Sequence, residues 1–423
     1  MEQYKQQREI LCIDLKSFFA SVECALRGLD PFQTPLIVAD KSRGNGSIVL
    51  AVTPYLKARG LKSRFRLHDL PDNIQGLVVA KPRMQAYLAY SKKVIEVYLE
   101  FIASEDLHIY SIDEAFLDVT SYLKYYQCDA ETLAERILQR ILEVTKVPAT
   151  CGVGDNLLLS KLALDLYSKK SPTGIATMRY HDVPQMLWPL KPLSEMWGIG
   201  SRMEKRLNYL NIYSVYDLAH TSIDQLKKLF GVIGEELYYH AHGIDQSVIR
   251  EKNYYHIPMK SVGLGQTLYK DYHGDEIMII LLEMVDEVAE RLRFVRKEAH
   301  TIHLSMRYSK AYGGGFSRQI TFDVASCDVE DLLDAVLRLF HRFYEGYPIR
   351  QVFIRATKLK AYHPAWQASF FSDVIRKEKR QKLWESIDLI RQRHGKSSVA
   401  RLVSFLESGT AIERATLIGG HHG

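Results

Sequence analysis

Three of the acids in two short stretches, Asp14 in ILCID at residues 10–14 and Asp113 and Glu114 in SIDEAFLD at 111–118, are the residues best placed to do chemistry. In a β-strand, neighbouring side chains point to opposite faces. Adjacent Asp113 and Glu114 inside LHIYSIDEAFLDVT would therefore send one carboxylate into the core unless the chain turned there. A tight hairpin, with LHIYSI and AFLDVT as its arms, brings both carboxylates to one rim, where they repel each other unless a cation lies between them. A solvated hairpin tip is the plainer reading of the same residues, since Asp is a common turn residue. Asp14 ends an unbroken apolar run that reads as a buried strand. If the two strands are neighbours in one sheet, Asp14, Asp113 and Glu114 converge on one edge. Three oxygen donors with open coordination positions suit Mg2+ together with substrate phosphates. Two such ions can hold the attacking and departing oxygens of a phosphoryl transfer.

The elements that must position these acids alternate. KSFFASVECAL reads as a helix after the first strand, with Phe18, Val22 and Ala25 at helical spacing. PLIVAD reads as a strand, and SRGNGSIVLAVT as a glycine-containing turn into another. RMQAYLAYSKKVIEVYLEFI and TLAERILQRILEVT read as helices flanking the acidic hairpin; ATCGVG is then a short strand and NLLLSKLALDLYS a helix. This alternation predicts one α/β domain with an acid-bearing sheet. From about 177 to 245 only helices broken by glycine follow, with the pairs Gly198 and Gly200, and Gly231 and Gly234, each opening a helix. QSVIREKNYYHIP then reads as an interdomain linker.

Beyond it, strand KSVGLGQTLY, helix DEIMIILLEMVDEVAERLRFV, strands HTIHLSMRYS and FSRQITFDV, helix VEDLLDAVLRLFHRFY and strand IRQVFIRATKL make βαββαβ, a split ferredoxin-like order. Alternation puts Val352, Ile354 and Ala356 on one face of the last strand and Gln351, Arg355 and Thr357 on the other; His303, Ser305 and Arg307 share the polar face of HTIHLSMRYS. Such a cationic face fits contact along a nucleic-acid backbone, although an ordinary solvated face looks similar. The chain ends in a basic stretch, RKEKRQKLWESIDLIRQRHGK, which could hold DNA or fold back as an amphipathic helix.

A chain of 423 residues is long enough for two to four domains. Its 47% hydrophobic and 25% charged residues are those of an ordinary soluble protein. The net charge of +6 permits an anionic partner without demanding one. Five widely spaced cysteines with no C-x-x-C pair argue against a disulfide framework and a zinc knuckle, and fit a reducing cytoplasm. MEQYKQQREI lacks the apolar stretch of a signal peptide, and IMIILL from Ile277 is too short to span a bilayer. A cytoplasmic monomer with no membrane partner is expected.

Four stretches, IDLKSFFASVE, SIDEAFLDV, CGVGDNLLLSKLALDL and KSVGLGQTL, occur in the order in which similar motifs occur in Y-family translesion DNA polymerases. The chain resembles that family from about residue 10 to 373, and with its ERATLIGGHHG ending is most similar to the UmuC-like UV-damage repair polymerases of Firmicutes. The resemblance implies a multidomain fold, α/β and α+β, built as a right-hand polymerase. The palm would take residues 1–17 and 83–176, small fingers 18–82, a helix-hairpin-helix thumb 177–245, a linker 246–256 and a ferredoxin-like little finger 257–362. Residues 363–423 would carry a clamp-binding peptide and a basic helical tail.

The implied activity is low-fidelity, DNA-templated DNA synthesis past damaged bases, by two-metal-ion nucleotidyl transfer on primer-template DNA with dNTPs. Asp113 and Glu114 would be catalytic, and Asp14, Asp113, Glu114 and the Leu15 carbonyl would bind two Mg2+ ions. Phe19 would be the steric gate against a 2′-hydroxyl, with Phe18 beside it at the nucleotide; without the resemblance both read as core aromatics. Lys57 and Lys169 would meet the triphosphate, with Lys170 a rival to Lys169. Pro54 stands where many relatives carry tyrosine, which puts one triphosphate hydrogen bond in doubt. Backbone amides around Gly198, Gly200, Gly231 and Gly234 would bind DNA phosphates without reading sequence. Lys260, Ser261, His303, Arg307 and Arg355 would contact DNA from the little finger. QASFF resembles the clamp-binding peptide of bacterial polymerases, so Gln367, Phe370 and Phe371 would meet a sliding clamp; accessory subunits or a recombinase filament are further implied partners.

Two other classes share some of these features. A nucleotidyl cyclase also uses strand-end acids and Mg2+, but has no use for the glycine turns or the cationic sheet. A noncatalytic DNA-binding scaffold would be favoured by loss of an acid, and all three acids are present.

Overall fold

The computed structural model describes residues 1–71, 73–254, 259–362 and 374–422. The chain divides into two compact units, Met1–His256 with His421–Gly423, and Ile257–Gly420.

The first unit opens with β1 (Ile10–Leu15) and α1 (Phe18–Ala25). A small three-stranded sheet follows, made from β2 (Leu36–Val38), β3 (Ala51–Val52) and, after the short helix α2 (Pro54–Ala58), β4 (Val78–Ala80). It has a core of its own in Ile37, Val49, Val52 and Leu56. Helix α3 (Met84–Phe101) leads to the hairpin of β5 (Leu107–Ile109) and β6 (Glu114–Asp118). Helices α4 (Leu123–Tyr126) and α5 (Ala130–Thr145) precede β7 (Ala149–Gly154), α6 (Leu157–Leu166) and β8 (Ile175–Met178).

Five strands make the main sheet in the order β5-β6-β1-β7-β8, so β1 lies between the acidic hairpin and β7. Residues Ile10 to Ile13 are wholly buried, the condition under which an unbroken apolar run is stable as a strand. Helix α6 lies directly on β7, because a Cβ at Gly152 or Gly154 would run into the Ser160 and Leu164 backbone.

The glycine-broken segment folds as α7 (Ser201–Asn208), α8 (Val215–Ala219), α9 (Ile223–Phe230) and α10 (Val232–Ala241). Leu207, Val215, Leu218, Leu226 and Leu237 share one core with Leu158, Leu159 and Leu162 of α6. Residues 246–256, read from their polarity as a linker, contain a docked helix, α11 (Ile249–Tyr254). Ile249 is buried beside Ile10, Cys12 and Phe116, and Arg250 grips Asp106 with two bonds of 2.6 and 2.8 Å. Ile249 and Arg250 both find buried partners, which polarity along the chain does not reveal.

The second unit runs β9 (Ser261–Tyr272), α12 (Gly274–Phe294), β10 (Lys297–Tyr308), β11 (Gly315–Ser326), α13 (Val329–Phe343) and β12 (Ile349–Ala361). The antiparallel sheet has the order β11-β10-β12-β9, so each helical crossover skips one strand, a split βαβ twice over. Ile302, Leu304 and Met306 with Val352, Ile354 and Ala356 form the inner face, packed on Ile280, Met284 and Val288 of α12 and Leu332, Val336 and Leu339 of α13.

The chain then continues as α14 (Val374–His394) and, near its end, α15 (Ala411–Ala415). Of the two readings of the basic tail, folding back is the one adopted. Arg401 pairs with Asp286 at 2.6 and 2.9 Å, Asp388 with Arg293 at 2.6 and 3.0 Å, and Arg380 with Asp328 at 3.2 Å. Trp384 lies 5.3 Å from the Arg293 guanidinium and 5.2 Å from that of Arg401. Arg380 of that stretch thus meets Asp328 at the N-cap of α13, Arg401 beyond it meets Asp286 of α12, and Asp388 meets Arg293 of α12. The QASFF peptide lies outside the described residues. Among the described residues, no helix is long and apolar enough to cross a membrane.

Candidate active site

The pairing of β1 with β6 sets Asp14 opposite Glu114, which puts both side chains on one face of the sheet. One step further, the Leu15 amide donates to the Asp113 carbonyl at 2.9 Å, so the hairpin tip stays locked to the end of β1. Asp113 accepts from Ser111 Oγ at 2.7 Å, a local bond of the kind that holds a tight turn. Burial pushes the Asp14 carboxyl up to about 6; Lys169 opposes this, and Asp113 and Glu114 add to it.

A ridge of α6 and the turn after it supplies the balancing charges. Lys161, Asp165 and Lys169 recur every four residues and so line one side of the helix. Lys161 Nζ lies 2.9 Å from Glu114 and 3.0 Å from Asp165; Lys169 Nζ lies 2.9 Å from Asp165 and 3.4 Å from Asp14. The result is an alternating series, Glu114–Lys161–Asp165–Lys169–Asp14. Lys161 is buried; burial disfavours its charge, but the bond to Glu114 and neighbouring negative groups hold its pKa above the usual lysine value. Cys12 Sγ also donates to Glu114 at 3.3 Å. Sequence reasoning missed Lys161. The clue was a lone cation among leucines in LLLSKLALDL, since a buried ammonium must find a carboxylate.

Lys57, on α2, faces the same group of charges. Burial lowers its pKa, Asp14 and Asp113 counter that, and Lys169 adds to it. Lys169, rather than Lys170, is the lysine that reaches Asp14. Pro54 occupies the first position of α2, where the absent N–H costs nothing.

Phe18 and Phe19 begin α1 directly after Ser17, whose φ of 50° and ψ of 45° are left-handed, a sharp turn for a residue with a side chain. Phe18 is buried. Phe19 is half-buried, and its ring stacks on Tyr87 at 4.5 Å and 16°. Tyr87 is a second residue that the sequence reading did not single out.

The donor set of Asp14, Asp113, Glu114 and the Leu15 carbonyl is all oxygen, which fits a hard dication. Among the described residues, no group of three or more His, Cys, Asp or Glu side chains is arranged to hold a metal ion. Lysines engage two of the acids, and an ammonium and a dication answer the same need for positive charge.

The polar face of the second unit carries a hollow of about 470 Å³, lined by Ser261, Gly263, His303, Ser305 and Arg355 among others. His303 and Arg355 are cross-strand neighbours, with Arg307 opposite Gln351 further along the ladder. Burial lowers the His303 pKa, and Arg355 lowers it further. Lys260 is exposed just before β9. In the first unit, Gly200 caps α7 and Gly231 precedes α10. Gly198 has a φ of 94°, and a Cβ at Gly234 would strike the Leu226 carbonyl, so both positions require glycine.

Residues 13–165 match the impB/mucB/samB family, residues 259–370 the C-terminal domain of that family, and residues 194–245 the thumb domain of DNA polymerase-iota. UvrX of Bacillus subtilis (strain 168), named for UV-damage repair, is 40% identical over 422 residues, covering 98% of each chain. DNA polymerase IV 2 of the same strain is 34% identical over 422 residues, covering 99% of each. The chain belongs to the Y family of DNA polymerases. A solved Y-family DNA polymerase chimera of Dbh and Dpo4 shares the fold at a TM-score of 0.65 and 23% identity, covering 84% of this chain and 99% of that one. The main sheet is thus the palm, the helices α7 to α10 the thumb, and the split βαβ sheet the little finger. Y-family membership carries with it a DNA template and dependence on a divalent metal.

Proposed function

We propose that this Y-family polymerase performs translesion synthesis at the edge of the β1–β6 ladder, where Asp14, Asp113, Glu114 and the Leu15 carbonyl would hold two Mg2+ ions. The observation that carries this reading is the register of Asp14 opposite Glu114 with Asp113 at the adjoining tip. When bound, the metal would polarise the primer 3′-hydroxyl and neutralise charge on the transferring phosphate. Lys161 orients Glu114 from behind. Lys169 and Lys57 supply positive charge beside the acids and are suited to meet a triphosphate. Phe19 presents a flat ring at the sugar and leaves no space for a 2′-hydroxyl.

The fingers sheet is small, with strands of only two and three residues. So slight a cover applies little shape selection to the nascent pair, which suits copying past damaged bases. Gly198, Gly200, Gly231 and Gly234 in the thumb, and Lys260, Ser261, His303, Arg307 and Arg355 in the little finger, would contact the DNA backbone. Gln367, Phe370 and Phe371 would bind a sliding clamp. Accessory subunits or a recombinase filament would be additional partners of a cytoplasmic monomer.

Primer extension with Mg2+ on intact and lesion-bearing templates tests the site. Asp113→Ala or Glu114→Ala should lower extension by about 10³-fold while leaving DNA binding largely intact. Undiminished synthesis by the Asp113 variant rejects the acid assignment.

A further inference from the structure

A steric gate works only if its ring cannot recede, and the structure shows what stands behind Phe19. Tyr87, fully buried in the first turn of α3, stacks on Phe19 at 4.5 Å and meets Phe18 edge-on at 6.4 Å. The Tyr87 hydroxyl donates to Glu23 Oε1 at 2.8 Å. Glu23 lies one turn along α1 from Phe19, so a single helix carries both the gate and the acid that anchors the ring behind it. Arg83 closes on the same carboxylate with bonds of 3.0 and 2.6 Å, and Arg27 donates to it as well. The Glu23 side chain has 0% exposure. Burial alone would raise its pKa, but the bonds from Arg83, Arg27 and Tyr87 outweigh burial and hold the carboxylate charged. A buried, charged acid with its acceptors filled is a rigid anchor.

We propose that Tyr87, held by Glu23 and Arg83, is the back plate of the sugar gate, a positioning residue that sets the preference for deoxyribonucleoside over ribonucleoside triphosphates. The proposal rests on the reading of Phe19 as the gate. A ribose exceeds a deoxyribose by one oxygen, so a ring that yields by about 1 Å admits it. Stacked on Tyr87 with ring centroids 4.5 Å apart, Phe19 is opposed by that ring if it yields toward it. The bond from the Tyr87 hydroxyl to Glu23 stops the plate itself from tilting or sliding.

The test uses the full chain on primer-template DNA with one complementary dNTP or rNTP, measuring kcat/KM for each. Equilibrium binding of the same nucleotides to a complex with a dideoxy-terminated primer gives a readout independent of chemistry. Tyr87→Leu should reduce the dNTP-over-rNTP preference about tenfold or more in both measurements. Tyr87→Phe, which keeps the plate and loses only its anchor, should reduce it less. An unchanged preference in Tyr87→Leu, or an equal loss for both nucleotides, overturns the proposal. If thermal melting shows that Tyr87→Leu does not fold, Tyr87→Phe and Glu23→Gln decide, and an unchanged preference in both overturns it. Phe19→Ala, run in parallel, separates the two ideas. If that variant still excludes ribonucleotides, the gate reading itself fails; if it admits them while the Tyr87 and Glu23 variants do not, only the back plate is rejected.

Discussion

At the scale of residues, the candidate site is a problem of crowded negative charge solved twice over. Asp14, Asp113 and Glu114 are held together by backbone register, and Lys161 and Lys169 supply the compensating cations. The acids were legible because a strand-ending Asp and an Asp-Glu pair at a hairpin tip are local patterns. Lys161 was not, because nothing along the chain says which carboxylate a helix cation will reach after folding. Its buried position makes it a sensitive probe. Lys161→Ala leaves Glu114 without its nearest cation and should cost about 3–5 kcal/mol in denaturant unfolding. Added Mg2+ should return part of that loss, because a ligand that binds only the folded state stabilises it. A variant as stable as the parent would show that the pair contributes little.

At the scale of elements, α11 shows how a short segment can be misjudged from composition. QSVIREKNYYHIP is polar and reads as a linker, yet Ile249 fills the palm core and Arg250 holds Asp106, which also accepts from Tyr122 at 2.7 Å. Burial would raise the Asp106 pKa, but the bonds from Arg250 and Tyr122 bring it below the usual carboxylate value. A carboxylate whose pKa is depressed by folding stabilises the fold above its unfolded pKa, and that stability is lost as pH falls through the folded value. The docking of α11 should therefore be firm at neutral pH and loosen below about pH 4. Hydrogen exchange of the α11 amides across pH, corrected for intrinsic rates, checks this. Arg250→Ala should raise exchange at neutral pH and flatten its pH dependence. The long helices and the strands of the second unit were readable because their periodicities extend over many residues; six residues of helix offer too few repeats to count.

At the scale of the whole molecule, each unit has its own core, and the little finger has acquired an outer layer from the chain that follows it. That layer is fastened by charge. Arg401 on Asp286, Asp388 on Arg293 and Arg380 on Asp328 span elements far apart in sequence, and Thr410 donates to Glu283 at 2.9 Å. Arg401→Ala removes two bonds to a buried acid and a cation–π contact with Trp384, and should destabilise the little finger by about 1–3 kcal/mol in thermal melts. If the tail were instead free to hold DNA, the same change would leave the melting temperature alone and weaken DNA binding. Gln367→Ala with Phe371→Ala should abolish stimulation of extension by the sliding clamp without altering extension in its absence; retained stimulation would rule the peptide out.

Period and local chemistry were enough to read the α/β alternation of the first unit, the βαββαβ order of the second, the strand-end and hairpin positions of three acids and the aromatic pair at the start of α1. These depend on side-chain spacing within single strands, helices and turns, which is written directly in the order of residues. Folding alone decided that Glu114 belongs to Lys161, that Tyr87 stacks on Phe19, that α11 docks through Arg250 and that Arg380 and Arg401 of the tail meet Asp328 and Asp286. Each of those joins groups distant along the chain, where partner choice is set by which surfaces packing brings within a few ångströms and by the cost of burying a charge alone.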